Sequence, residues 1–162
     1  MAEKHIATYL NDHLAGSTAA LELLEHLEAA HAGTEVARFA AGLRADVAAD
    51  REELEALMDR LQVAQSRTRR AAAWLTEKAS ELKLRWDDRA SGALHLLEAL
   101  DALSLGIEGK RGLWRALAAA AEDAPALQGV DYEGLTRRAE EQRRRVEALR
   151  LDAARRALIP EP

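Results

Sequence analysis

The sequence predicts an all-α protein, a four-helix bundle with one long crossover, and three observations carry that expectation. The 162 residues are 48% hydrophobic but only 4% aromatic. Their apolar content is mostly alanine and leucine, the strongest helix formers, and β-branched residues are few. Three prolines leave long stretches without a helix breaker. Apolar positions then recur at three- and four-residue steps along four long segments and one shorter one. The length suits a single domain, residues 1–162.

The first helix is expected over about residues 4–31, with Ile6, Leu10, Leu14, Ser17, Leu21, Leu24 and Leu27 on one face. Gly33 supplies a stop and Thr34 an N-cap for the second helix, about 35–64, through Val36, Phe39, Leu43, Val47, Leu54, Leu57 and Leu61. A shorter amphipathic helix over about 67–84 carries Trp74, Leu75 and Leu82, and a loop containing Trp86 follows. The third long helix covers about 92–121, through Leu96, Leu97, Leu100, Leu103, Ile107, Trp114 and Leu117. Pro125 and Gly129 mark the next loop. Asp131 caps the last helix, about 132–158, whose core face is Leu135, Ala139, Val146, Leu149, Ala153 and Leu158.

Loop lengths choose the topology. Short connections make helices one and two antiparallel neighbours, and likewise three and four. About 25 residues separate helix two from helix three, enough to return along the bundle and set them parallel. The rival is a five-helix up-and-down array in which residues 67–83 are a full member.

Several function classes fall away. With no cysteine there are no disulfides, thiolate metal sites or cysteine nucleophiles. No apolar run approaches the roughly 20 residues of a membrane span, and the polar start Met1-Ala2-Glu3-Lys4-His5 carries no apolar signal core. A cytoplasmic protein is the expectation. The net charge of −5 is uneven: residues 1–65 carry 5 basic and 12 acidic side chains. The last helix holds Arg137, Arg138, Arg143, Arg144, Arg145, Arg150, Arg155 and Arg156. Glu140, Glu141, Glu147 and Asp152 interleave with them, so a solvated face of ion pairs is expected rather than a nucleic-acid stripe. Gly106-Ile-Glu-Gly109-Lys110-Arg111 has the Gly-Lys of a phosphate loop, but its spacing is short and it lies within a helical pattern. Gly106, Gly109 and Gly112 instead suggest close approach of the crossover helix or a partner subunit, or a kink beside the polar layer.

The informative residues are polar ones on the apolar stripes. His13 interrupts the first helix, Asp50 the second, Lys110 the third and Gln142 the fourth, each near mid-helix. The midpoint between 13 and 50 falls at the turn near Gly33, and that between 110 and 142 falls in the Pro125 loop. Asp50 lies 15 residues into its helix and Lys110 18 into its own. At 1.5 Å per residue their heights differ by about 5 Å, roughly one turn. One buried polar layer of His13, Asp50, Lys110 and Gln142 is expected, with Ser17 one turn beyond His13. Both signs of charge and an amide allow mutual pairing, which burial demands.

Two stretches, Tyr9-Leu-Asn-Asp-His13-Leu-Ala-Gly16 and Leu103-Ser-Leu-Gly-Ile-Glu-Gly-Lys110-Arg-Gly-Leu-Trp114-Arg-Ala-Leu117, resemble the ferritin-like superfamily and small bacterial proteins of that build. The resemblance implies the architecture over nearly the whole chain. Members with a di-iron centre place one Glu on each of two helices and Glu-x-x-His on each of the other two. Here the only Glu-x-x-His is Glu28-Ala-Ala-His31, at the end of helix one. Helix two offers Asp50-Arg-Glu-Glu53 and helix four Gln142-Arg-Arg-Arg145. The expected reading is a non-catalytic bundle with no cofactor, its polar layer standing in place of a metal centre. It would act by self-association or through a protein partner, with Trp74, Trp86 and the glycine stripe as contact features. The alternative is an atypical metal-binding protein or oxidoreductase using His13, Asp50 and neighbouring carboxylates. Lys110 bonded to Asp50 would favour the first; Lys110 turned outward, with His13 and carboxylates converging, the second.

Overall fold

The computed structural model describes residues 2–66, 77 and 92–159. They form four long helices, α1 (Ala2–Ala30), α2 (Glu35–Arg60), α3 (Gly92–Ala121) and α4 (Tyr132–Leu158), with a 3-10 turn at Pro125–Leu127. There is no strand among the described residues. The expected short helix at 67–84 and the Trp86 loop lie outside the described residues, apart from the helical Glu77.

The α1–α2 turn is built as its residues dictate. Gly33 takes φ +81°, where a side chain would be strained. Thr34 caps α2: its hydroxyl accepts from Ala37 N–H at 3.4 Å and donates to the His31 carbonyl at 2.7 Å. At its far end α2 stops at Arg60, short of the expected 64. Gln62 adopts φ +55° while its N–H bonds Asp59 O and the Val63 N–H bonds Met58 O. That pair of bonds is the Schellman ending, here with glutamine where glycine is usual. Asn11 of α1 then fastens the departing chain. Its amide nitrogen donates to Ala64 O at 3.1 Å and its oxygen accepts from Ser66 N–H at 2.6 Å. At the start of α4, Asp131 accepts from Gly134 N–H at 2.9 Å.

Two apolar clusters make the core. One joins Leu23, Leu24 and Leu27 of α1 to Ala40, Leu43 and Val47 of α2, Leu96 to Ile107 of α3, and Val146 and Ala153 of α4. The other joins Leu10 and Leu14 to Leu54, Leu57 and Met58, Leu113, Trp114 and Leu117, and Leu127, Tyr132 and Leu135. The early part of α1 therefore meets the late parts of α2 and α3 and the early part of α4. Each short-loop pair is antiparallel, and α2 and α3 point the same way. The chain leaves α2 at one end of the bundle and enters α3 at the other.

At two of the three mid-helix α3 glycines, Gly109 and Gly112, an added Cβ would meet nothing within 4 Å, so no described neighbour packs closely there.

Candidate functional site

Between the two apolar clusters the core turns polar. Asp50 lies between Val47 and Leu54 on α2, and Lys110 between Ile107 and Leu113 on α3. The Asp50 side chain is 1% exposed and that of Lys110 16%. Lys110 Nζ donates to Asp50 Oδ2 at 2.5 Å and also to Gln142 Oε1. Gln142 Nε2 donates to the same Asp50 oxygen at 2.8 Å. Ammonium, carboxylate and amide thus close a ring across α2, α3 and α4. The glutamine suits this place because its amide accepts from the cation and donates to the anion at once.

Arg138, one turn before Gln142 on α4, places Nη2 2.8 Å from Asp50 Oδ1. Among the described residues that oxygen accepts no hydrogen bond, so Arg138 contributes charge rather than a directed bond. Sequence reasoning assigned Arg138 only to the arginine face. Its four-residue offset from Gln142 was the available signal that it projects toward the same face.

Burial pulls the Lys110 ammonium below the ordinary lysine range, and the facing Asp50 carboxylate opposes the shift. His13 stands apart from the ring. It packs edge-on against Tyr9, ring centroids 4.7 Å apart at 77°. Burial depresses its basicity, and Asp12 partly offsets this. Ser17 also stays outside the ring: its hydroxyl donates to Leu14 O at 2.6 Å and accepts from Arg51 at 3.3 Å. Of the five residues expected in one layer, three are bonded to one another. The remaining two line an adjoining cavity of about 410 Å³ between α1, α2 and α3, together with Asp50, Lys110 and Trp114.

The arginine face of α4 is largely paired. Arg137, Arg144 and Arg156 bridge within the helix, to Glu133, Glu141 and Asp152. Arg143, Arg145 and Arg150 reach Glu108, Asp46 and Asp101 on neighbouring helices. These bridges tie α4 to α2 and α3 on the side of the ring nearer the end of α4. Among the described residues no three or more His, Asp or Glu side chains gather as a metal-binding group. No described helix is long and apolar enough to cross a membrane. Buried His95 on α3 and Asn11 on α1 were not singled out by the sequence reading. The chain matches no protein-family model, no curated protein and no solved structure.

Proposed function

We propose that this chain is a non-catalytic helical-bundle protein of ferritin-like build that acts by association, with a salt-bridged layer where such bundles carry a metal. The observation that supports this reading is the Asp50–Lys110–Gln142 ring. An ammonium occupies the mid-bundle position, and its charge opposes a cation there. Both Asp50 oxygens already face positive groups. His13, the other residue of the metal alternative, is turned against Tyr9 instead of bonding within the ring. For association the described surface offers Leu94, Leu151, Leu158 and Ile159, all well exposed. Leu94 opens α3 while the other three close α4, so antiparallel packing puts them toward one end of the bundle.

Metal analysis of protein purified without chelator, joined to a solution mass by sedimentation equilibrium, tests the proposal. The expected result is no stoichiometric iron, manganese or zinc, a melting temperature indifferent to EDTA, and a mass above that of one 17.8 kDa chain. One metal ion per chain, lost together with stability on chelation, overturns the metal-free reading. A strictly monomeric mass at all accessible concentrations removes self-association and leaves a heterologous partner.

A further inference from the structure

The cavity beside the ring has apolar walls, balanced charges and one imidazole that the fold leaves open. Val47, Leu54, Leu103, Ile107 and Leu113 contribute the apolar surface. Most of the polar groups on the wall are already engaged. Asp50 and Lys110 bond within the ring. Ser17 donates to Leu14 O, and Arg51 pairs with Glu55 at 3.0 Å. His13 differs. It has the edge-on contact with Tyr9 and feels the charge of Asp12, but among the described residues no hydrogen bond holds either ring nitrogen. Neither nitrogen is sealed in the core as the Trp114 indole nitrogen is, and His13 stands on the cavity wall, so an occupant can reach its ring. Burial keeps the imidazole neutral at neutral pH, with one nitrogen donating and the other free to accept. The charges around the cavity cancel, with Asp12, Asp46 and Asp50 set against Arg51, Lys110 and Arg138.

We infer that this cavity binds a small uncharged aromatic alcohol, of the phenol or naphthol class, its hydroxyl donating to the His13 imidazole. The volume, about 410 Å³, lies within the range of ordinary small-molecule sites, and apolar walls with few polar groups are their usual make-up. With no net charge to answer an ion, the cost of desolvation disfavours charged ligands and leaves an apolar body with one polar group as the fit. An imidazole nitrogen without a proton is an acceptor, so it selects a ligand that donates. Tyr9 and His13 already meet edge to face, and a flat aromatic body extends that kind of contact. The inference is independent of how the bundle associates.

Titration of β-naphthol into the full ¹⁵N-labelled chain tests it through the histidine ring nitrogens, with His13 assigned from His13→Phe. The unprotonated His13 nitrogen is expected to move upfield and saturate at one naphthol per chain. The methyl ether of β-naphthol has the same aromatic body but no proton to donate, and should bind about tenfold more weakly. His13→Phe keeps an aromatic ring beside Tyr9 and removes the acceptor, so it should bind naphthol and ether equally, with an unchanged helical circular dichroism spectrum. The comparison of naphthol with its ether on the parent chain reads the hydrogen bond even where the variant fails to fold. A His13 nitrogen unmoved at saturating naphthol, equal affinity of the parent chain for naphthol and ether, or a folded His13→Phe that still prefers naphthol each overturns the proposal.

Discussion

Replacing Asp50 by alanine removes the ring's one anion, which faces Lys110, Gln142 and the neighbouring Arg138, and the structure sets the size of the effect. Breaking a buried pair from one side costs about 3–5 kcal/mol, because the surviving charge stays desolvated without compensation. Here the survivor is Lys110, whose side chain retains 16% exposure and a bond to Gln142. Those two features place the loss at the low end, about 3 kcal/mol. Gln142 loses its acceptor too, while Arg138, 42% exposed, can turn to water and adds little. For a chain of this length the melting temperature should fall by about 6–12 °C.

Urea unfolding followed by helical circular dichroism measures this, provided the slope with denaturant is unchanged. Lys110→Met and the double variant complete a cycle. If the two charges hold each other, removing both costs less than the summed single losses, with a coupling of about 1–3 kcal/mol. A melting temperature within about 2 °C of the parent for Asp50→Ala, or strict additivity in the cycle, would mean that the two charges are separately solvated. The ring would then contribute nothing to the fold.

Three further outcomes follow from local geometry. Gly112→Ala should stabilise by about 0.5–1 kcal/mol, since the position is helical and exposed, with open space where the added methyl group would sit; a loss of stability in thermal melts would mean that something packs there. Asn11→Ala frees Ala64 O and Ser66 N–H from α1 and should cost about 1–3 kcal/mol, with faster amide exchange at Ser66; protected exchange at Ser66 would refute that anchoring role. His13 and His31 both have basicity lowered by burial, so below about pH 6.5 the unfolded chain takes up protons that the folded chain resists. Stability should therefore fall from pH 7 toward pH 5.5, and His13→Gln should flatten the slope; urea midpoints that rise as pH falls would contradict it.

How much was legible in the sequence depended on whether the deciding signal was local. The boundaries of α3 and α4 follow from Asp131 and from apolar periodicity, both readable along one stretch of chain. The end of α2 was misplaced because Gln62, not glycine, takes the left-handed position, so no stop signal stood there. Asp50, Lys110 and Gln142 were visible as polar breaks in apolar seams, and a height estimate sufficed to place them near one another. Height alone carries no information about rotation around a helix axis. That is why His13, at a comparable level, turns to Tyr9 while Arg138, expected on the solvated arginine face, faces Asp50. The arginine face was foreseen as ion pairs within α4. The bridges to Asp46, Glu108 and Asp101 needed the packing of three helices to be known first.

The ring also answers a problem that leucine-rich bundles pose to themselves. Leucine and alanine on four helices can satisfy many registers almost equally, because apolar burial is non-directional. Sliding α2 or α3 by one turn would keep most of the apolar burial but would set the Asp50 carboxylate against leucine and strand the Lys110 ammonium. A carboxylate accepting from two side chains at 2.5 and 2.8 Å tolerates no such slip. The stability of the ring over an apolar substitute is modest, since desolvation offsets much of the attraction. Its larger effect is on uniqueness: α2, α3 and α4 have one alignment in which every buried charge is answered.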